Sequence, residues 1–135
     1  MRMWMVDPAL LCDQHLLGEH GELHKFLHNW IKHQPILKRL EGNAMEPLSY
    51  KYRHDALARE MVRRGMRHQS PLTQPDFSYL PEEQQAYRID VEKNMDRLCQ
   101  RCDTCRERIH TAIALAALQG KTLPYTKNEP QRRYQ

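Results

Sequence analysis

DQHLLGEHGELHKFLHNWI, residues 13 to 31, places Leu16, Leu23, Leu27, Trp30 and Ile31 on one stripe at helical spacing. Upstream, Asp7-Pro8 reads as an N-cap followed by proline at the first helical position. The pattern predicts a helix from about Pro8 to His33. Gly18 and Gly21 weaken it by roughly 1 kcal/mol each relative to alanine. Glycine inside a helix also permits close approach by another backbone or a ligand.

Beyond this helix, Pro35, Gly42 and Pro47 mark residues 34 to 52 as a connector with at most a short helix. A second helix is expected from about Arg53 to Arg64, carrying Leu57, Met61 and Val62, with Gly65 as its C-cap. RHQSPLTQPDFSYLP, residues 67 to 81, is rich in turn residues and reads as a loop. Pro81-Glu82-Glu83 begins a short helical turn or the next helix. Asp90 is suited to cap a long third helix, about 91 to 119, stopped by Gly120. Its stripe is Met95, Leu98, Cys102, Cys105, Ile109, Ile113 and Ala116. Neither a repeat nor a strand pattern is evident. The expected fold is all-α: a single compact domain over residues 1 to 135, with three main helices and long connecting loops.

With 135 residues, the chain is long enough for one domain with a real core. Hydrophobic residues make up 40%, which favours folding over disorder. A formal charge of +4 hints at an anionic partner such as nucleic acid. No apolar run approaches a membrane span, and MRMWMVDP lacks the apolar core of a secretory signal. A reducing cytoplasm is the expected location.

Two patterns suggest metal. His20 and His24 stand four apart around Glu22, but the order H-G-E-L-H displaces the glutamate from its place in the zinc-protease motif H-E-x-x-H. That displacement turns it about 100° around the helix, away from any water held by the two histidines. His28 extends the series, although three histidines at this spacing usually form a solvated face. Cys99, Cys102 and Cys105 form C-x-x-C-x-x-C within a helical pattern. One straight helix cannot wrap three thiolates around a tetrahedral ion, so packing as small hydrophobes is the preferred reading. A site completed by Cys12 or His110 is the alternative. No metal or cofactor is expected.

Residue by residue, DQHLLGEHGEL, residues 13 to 23, resembles the first long helix of the pyrimidine-dimer DNA glycosylases, the endonuclease V type known from phage. Arg2 matches an arginine near that family's N-terminus. EMVRRGMRHQSPL, residues 60 to 72, resembles the end of the family's second helix and its R-G turn. The R-C-x-x-C-R segment from Arg101 to Arg106 is similar to one in short relatives. The resemblance spans most of the chain, with its specificity concentrated in the first 25 residues.

The resemblance implies a DNA glycosylase with AP-lyase activity, located in the cytoplasm of a bacterial or phage-infected cell and associated with the nucleoid. Its nucleophile is the N-terminal α-amine and its acid/base is Glu22. An α-amine titrates at about 7.7–8.0, whereas lysine sits near 10.4, so a useful neutral fraction exists near pH 7 without burial. In phage members a small residue follows the removed initiator methionine. Here Arg2 should block removal, so a retained, deformylated Met1 supplies the amine.

Double-stranded DNA with a flipped nucleotide is the implied partner, bound by a monomer. Arg2, Lys25, Arg64, Arg67 and Lys127 are the expected phosphate contacts. His15 either reaches sugar or phosphate or packs against the N-terminal segment. Gly21 departs from the family's basic residue beside the glutamate, and Lys25 retains a charge one turn on. The tail KTLPYTKNEPQRRYQ replaces the family's aromatic-rich C-terminus. A non-catalytic DNA-binding module of the same fold is the alternative function, and a metal-dependent protein using Cys99, Cys102 and Cys105 a weaker one.

Overall fold

Asp7 Oδ1 accepts a hydrogen bond from the Ala9 amide, and Pro8 takes the first position, as an N-cap requires. The element it starts is only a 3-10 turn, Pro8–Leu10. Leu11 is extended and Cys12 is the true cap of helix α1, Asp13–Lys25, its Sγ accepting from the His15 amide. The expected single helix from Pro8 to His33 is thus three pieces, the last being α2, Leu27–Ile31. At the join the Asn29 amide bonds the Phe26 carbonyl three residues back, tightening the turn. The result buries Trp30 and leaves Ile31, a member of the expected stripe, 67% exposed.

The computed structural model describes residues 1–68 and 70–122. The connector contains α3, Leu37–Glu41, and a 3-10 turn over Pro47–Ser49. Helix α4, Tyr50–Arg63, starts three residues earlier than expected. Gln74 Oε1 accepts from the Lys51 amide and so satisfies a donor in its first turn. Gly65 takes φ +84 beyond the end of α4, as a terminating glycine should. Leu57 and Met61 are buried, but Val62 faces out. The described residues of the loop to residue 81 hold no helix, and α5 is one turn, Glu82–Gln85.

Asp90 caps α6 as expected, its carboxylate accepting from the Lys93 amide. The third helix is not continuous. It divides into α6, Val91–Arg101, and α7, Asp103–Leu118, with Cys102 extended between them (φ −135, ψ 110). Met95, Leu98, Cys105 and Ile109 are buried, while Ile113 is exposed. Gly120 closes α7 at φ +67. All regular elements among the described residues are helical.

One buried cluster joins the N-terminal segment, α1, α4, α6 and α7, from Met3 to Ile109. Across the α1–α4 interface Arg53 Nε and Nη2 reach Glu19 Oε2 and Oε1 at 2.6 and 2.9 Å, and Nη1 reaches the Val6 carbonyl. Both side chains are almost fully buried. Removing one partner would leave a buried charge unmatched, at a cost of roughly 3–5 kcal/mol. Nearby, the Tyr50 hydroxyl donates to the Leu23 carbonyl, and burial pushes its pKa up to about 12. These contacts fix the helix that carries Glu22.

Candidate active site

The chain's first residues are stitched down by backbone and side-chain bonds. The Met3 amide donates to the Ala44 carbonyl at 2.8 Å. Asn94, itself buried, donates through Nδ2 to the Met3 and Trp4 carbonyls. Arg2 Nη1 donates to the Gly42 and Asn43 carbonyls and to Asn94 Oδ1, with its guanidinium over the Trp4 ring. Met5 holds a left-handed backbone (φ 59) with its side chain buried, a strain of about 1–3 kcal/mol sustained by the surrounding core.

This stitching leaves the Met1 α-nitrogen 3.2 Å from Glu22 Oε2. Glu22 stands on α1 with its side chain 41% exposed, whereas the Met1 side chain is buried, so the pair opens to solvent on the carboxylate side. Among the described residues, a Cβ added to Gly18 or Gly21 would meet no atom within 4 Å, and the exposed stripe Gln14, Gly18, Gly21 and Lys25 flanks Glu22. An amine and a carboxylate in contact, beside a low and open helix face, can attack an electrophilic carbon and shuttle the proton released.

A family model described as pyrimidine dimer DNA glycosylase matches residues 1–74. The chain belongs to the pyrimidine dimer DNA glycosylase family. The match covers the N-terminal segment, α1 and α4, the elements that build the Met1–Glu22 contact. Membership makes DNA the substrate class and base excision the general activity. Neither the curated proteins nor the solved structures contain a match to the chain.

Within this glycosylase framework the expected phosphate contacts separate. Lys25 and Arg67 are exposed. Lys25 Nζ lies over the Phe26 ring, one turn from Glu22. Arg64 is built into the fold: Nε bonds Glu60, Nη1 bonds Asp13, and Nη2 bonds the Pro8 and Leu11 carbonyls. With its donors so engaged, Arg64 holds the 3-10 turn and the start of α1 rather than facing a phosphate. Arg2 is likewise turned into the protein, where burial and then the charges of Arg97 and Arg101 lower its pKa. Arg97 and Arg101 thus lie near the Arg2 guanidinium; Arg97 does not stand out in the sequence because its placement depends on α6 packing beside Arg2, through Asn94. Lys127 and the rest of the basic tail lie outside the described residues.

His20 and His24 join His54 and His68, not His28, in a group whose ligand-type nitrogens all lie within 4.8 Å of one another. His28 is exposed, with Nδ1 at the Lys25 carbonyl. Within the four-imidazole group, His54 Nδ1 faces the Asp55 carboxylate at 2.9 Å, and its Nε2 lies 3.0 Å from both the Ser70 carbonyl and His24 Nε2. The second cluster is Cys12, His15, Cys102 and Cys105. His15 sets its ring edge against Trp4 in the N-terminal segment and its Nδ1 against two of these sulfurs. Cys99 is outside the group.

The imidazole cluster predicts a pH dependence of stability. His20 is buried, and its Nε2 has no hydrogen-bond partner among the described residues. Burial, reinforced by His54, His24 and His68, lowers its pKa from 6.5 to about 4. Burial, then His54 and His68, lower His24 as well. Between about pH 6.5 and 4 the unfolded chain therefore binds more protons than the folded one. The contribution is complete above about pH 6.5 and is lost as pH falls through about 4, on the order of 2–3 kcal/mol. Urea midpoints measured across this range should fall with pH, and His20→Gln should flatten the fall. Equal slopes for both proteins would assign the pH dependence to other groups.

Proposed function

We propose that the protein is a DNA glycosylase and AP lyase that excises dimerised pyrimidines through a covalent Schiff base at the Met1 α-amine, with Glu22 as acid and base. The observation that carries this reading is the 3.2 Å approach of the amine to the Glu22 carboxylate. The neutral amine attacks C1′ of the damaged nucleoside. The C1′–N glycosidic bond breaks, its electron pair leaves with the base, and the amine yields its proton to Glu22 or solvent. Glu22 opens the sugar by proton transfer and stabilises the iminium cation that results. That iminium acidifies the C2′ proton. Its removal, again within reach of Glu22, drives β-elimination and breaks the C3′–O bond to the 3′ phosphate. Water then hydrolyses the imine and frees the amine.

The exposed Lys25, Arg67 and Arg101 are the cations assigned to the DNA backbone around a flipped nucleotide. The open space over Gly18 and Gly21 suits close approach of the sugar. We take residues 1 to 135 as one functional unit, because α7 packs on the 3-10 turn that precedes α1.

Duplexes carrying a single pyrimidine dimer, a single abasic site or no lesion distinguish the readings. The proposal expects glycosidic-bond cleavage and strand cleavage on the dimer, the cleaved base staying joined to its partner pyrimidine, then strand cleavage on the abasic site, and neither on intact DNA. Equal binding to all three duplexes with no cleavage would instead identify a DNA-binding module.

A further inference from the structure

Helices α1 and α7 begin in the same way. Cys12 caps α1, and His15 follows three residues on; Cys102 caps α7, and Cys105 follows three residues on. A side chain at the N-cap and one at the third helical position point to the same side of a helix start. Each helix therefore offers a pair of ligand atoms at its N-terminus. The fold brings the two starts together: the Cys12 amide donates to Cys105 Sγ at 3.2 Å, across 93 positions of sequence. The break between α6 and α7 falls at Cys102, and without it Cys102 would lie on a continuous helix with Cys99 and Cys105.

We propose that Cys12, His15, Cys102 and Cys105 form a tetrahedral site for a zinc-class divalent cation. Zinc binds thiolate sulfur at about 2.3 Å and imidazole nitrogen at about 2.0–2.1 Å, so tetrahedral ligands stand about 3.8 Å apart for two sulfurs and about 3.5 Å apart for sulfur and nitrogen. Cys12 Sγ lies 3.9 Å from Cys102 Sγ. His15 Nδ1 lies 3.3 Å from Cys12 Sγ and 3.6 Å from Cys105 Sγ. All four ligand atoms fall within 4.8 Å of one another.

The surroundings suit thiolates. The His15 amide points at Cys12 Sγ, the Cys105 amide at Cys102 Sγ, and the Cys12 amide at Cys105 Sγ. Three amide donors and two helix N-termini thus face three sulfurs, the hydrogen-bonding geometry that a metal-bound thiolate accepts. Binding releases the three thiol protons to solvent and leaves a centre with a single net negative charge. Three soft sulfurs and one imidazole select zinc over magnesium or calcium.

A cation here would clamp the start of α1 to the start of α7 and so steady the helix that carries Glu22. It would also commit His15 Nδ1 to the metal, leaving only Nε2 for any contact with DNA.

The test uses the full chain, purified under reducing conditions and supplied with zinc, with readouts independent of DNA cleavage. Elemental analysis should find a single equivalent of zinc. Cobalt(II) exchanged into the unaltered chain should show thiolate-to-metal charge-transfer absorption and the visible bands of a tetrahedral centre. Cys12→Ser and Cys105→Ser should weaken zinc binding by roughly 100-fold or more, whereas Cys99→Ser should retain it. The cobalt spectrum needs no variant, so a substitution that fails to fold does not remove the test. Absence of stoichiometric zinc overturns the proposal, as does zinc that survives Cys12→Ser but is lost on His24→Ala. A Cys12–Cys102 disulfide that persists in the reduced preparation overturns it too.

Discussion

Glu22→Gln should lower both glycosidic-bond cleavage and strand cleavage by roughly 10²–10⁴-fold, the range for loss of a positioned acid–base group. Glutamine keeps the size and the hydrogen-bonding capacity of the side chain but cannot take a proton from the amine or balance an iminium. Because the Glu22 side chain is 41% exposed and sits outside the buried Arg53–Glu19 pair, the variant should fold with near-native stability. Affinity for an abasic duplex should change far less than the rate of cleavage. Undiminished cleavage by Glu22→Gln would remove the carboxylate from the chemistry.

A still larger effect is expected from blocking the amine. Acetylation of the Met1 α-nitrogen converts a nucleophile into an amide with no available lone pair. The covalent route is then closed rather than slowed, and cleavage should fall by roughly 10⁴-fold or more. Extending the chain before Met1 should act similarly, since it replaces the amine with a peptide nitrogen at the same place. Lysine side chains remain in both cases, so retained activity would point to one of them. The nearest candidate on the exposed face is Lys25, one turn from Glu22.

Local signals are legible in the sequence where chemistry within a few residues decides the outcome. Asp7 and Asp90 cap the elements they precede, and Gly65 and Gly120 end α4 and α7 with positive φ. The all-helical fold follows from the same periodicities. Helix continuity is not legible in the same way. Leu98, Cys102, Cys105 and Ile109 keep helical spacing straight through the α6–α7 break, so the pattern alone predicts one helix. What interrupts it is tertiary, the meeting of Cys105 with the Cys12 amide. Cys12 likewise hid its role as a cap because serine, threonine, asparagine and aspartate are the usual residues there. The faint signal was the matched pair C-x-x-H and C-x-x-C at two helix starts.

Side-chain roles across long separations were the least legible. Arg64 resembled a phosphate contact, yet its partners are Asp13, Glu60 and the carbonyls of Pro8 and Leu11, placed by the packing of α4 on the N-terminal turn. Arg53 and Glu19, 34 positions apart, gave no sign of pairing. The nearness of Met1 to Glu22 was suggested only by family resemblance. Its physical basis is the set of bonds from Arg2, Met3 and Asn94 that hold the first residues in place.

The most direct test of the proposed chemistry is borohydride trapping on an abasic duplex, followed by proteolysis and mass spectrometry of the cross-linked peptide. The account predicts a reduced adduct on the α-nitrogen of Met1, absent when that nitrogen is acetylated. An adduct on a lysine side chain, or strand cleavage without any trapped adduct, would contradict it.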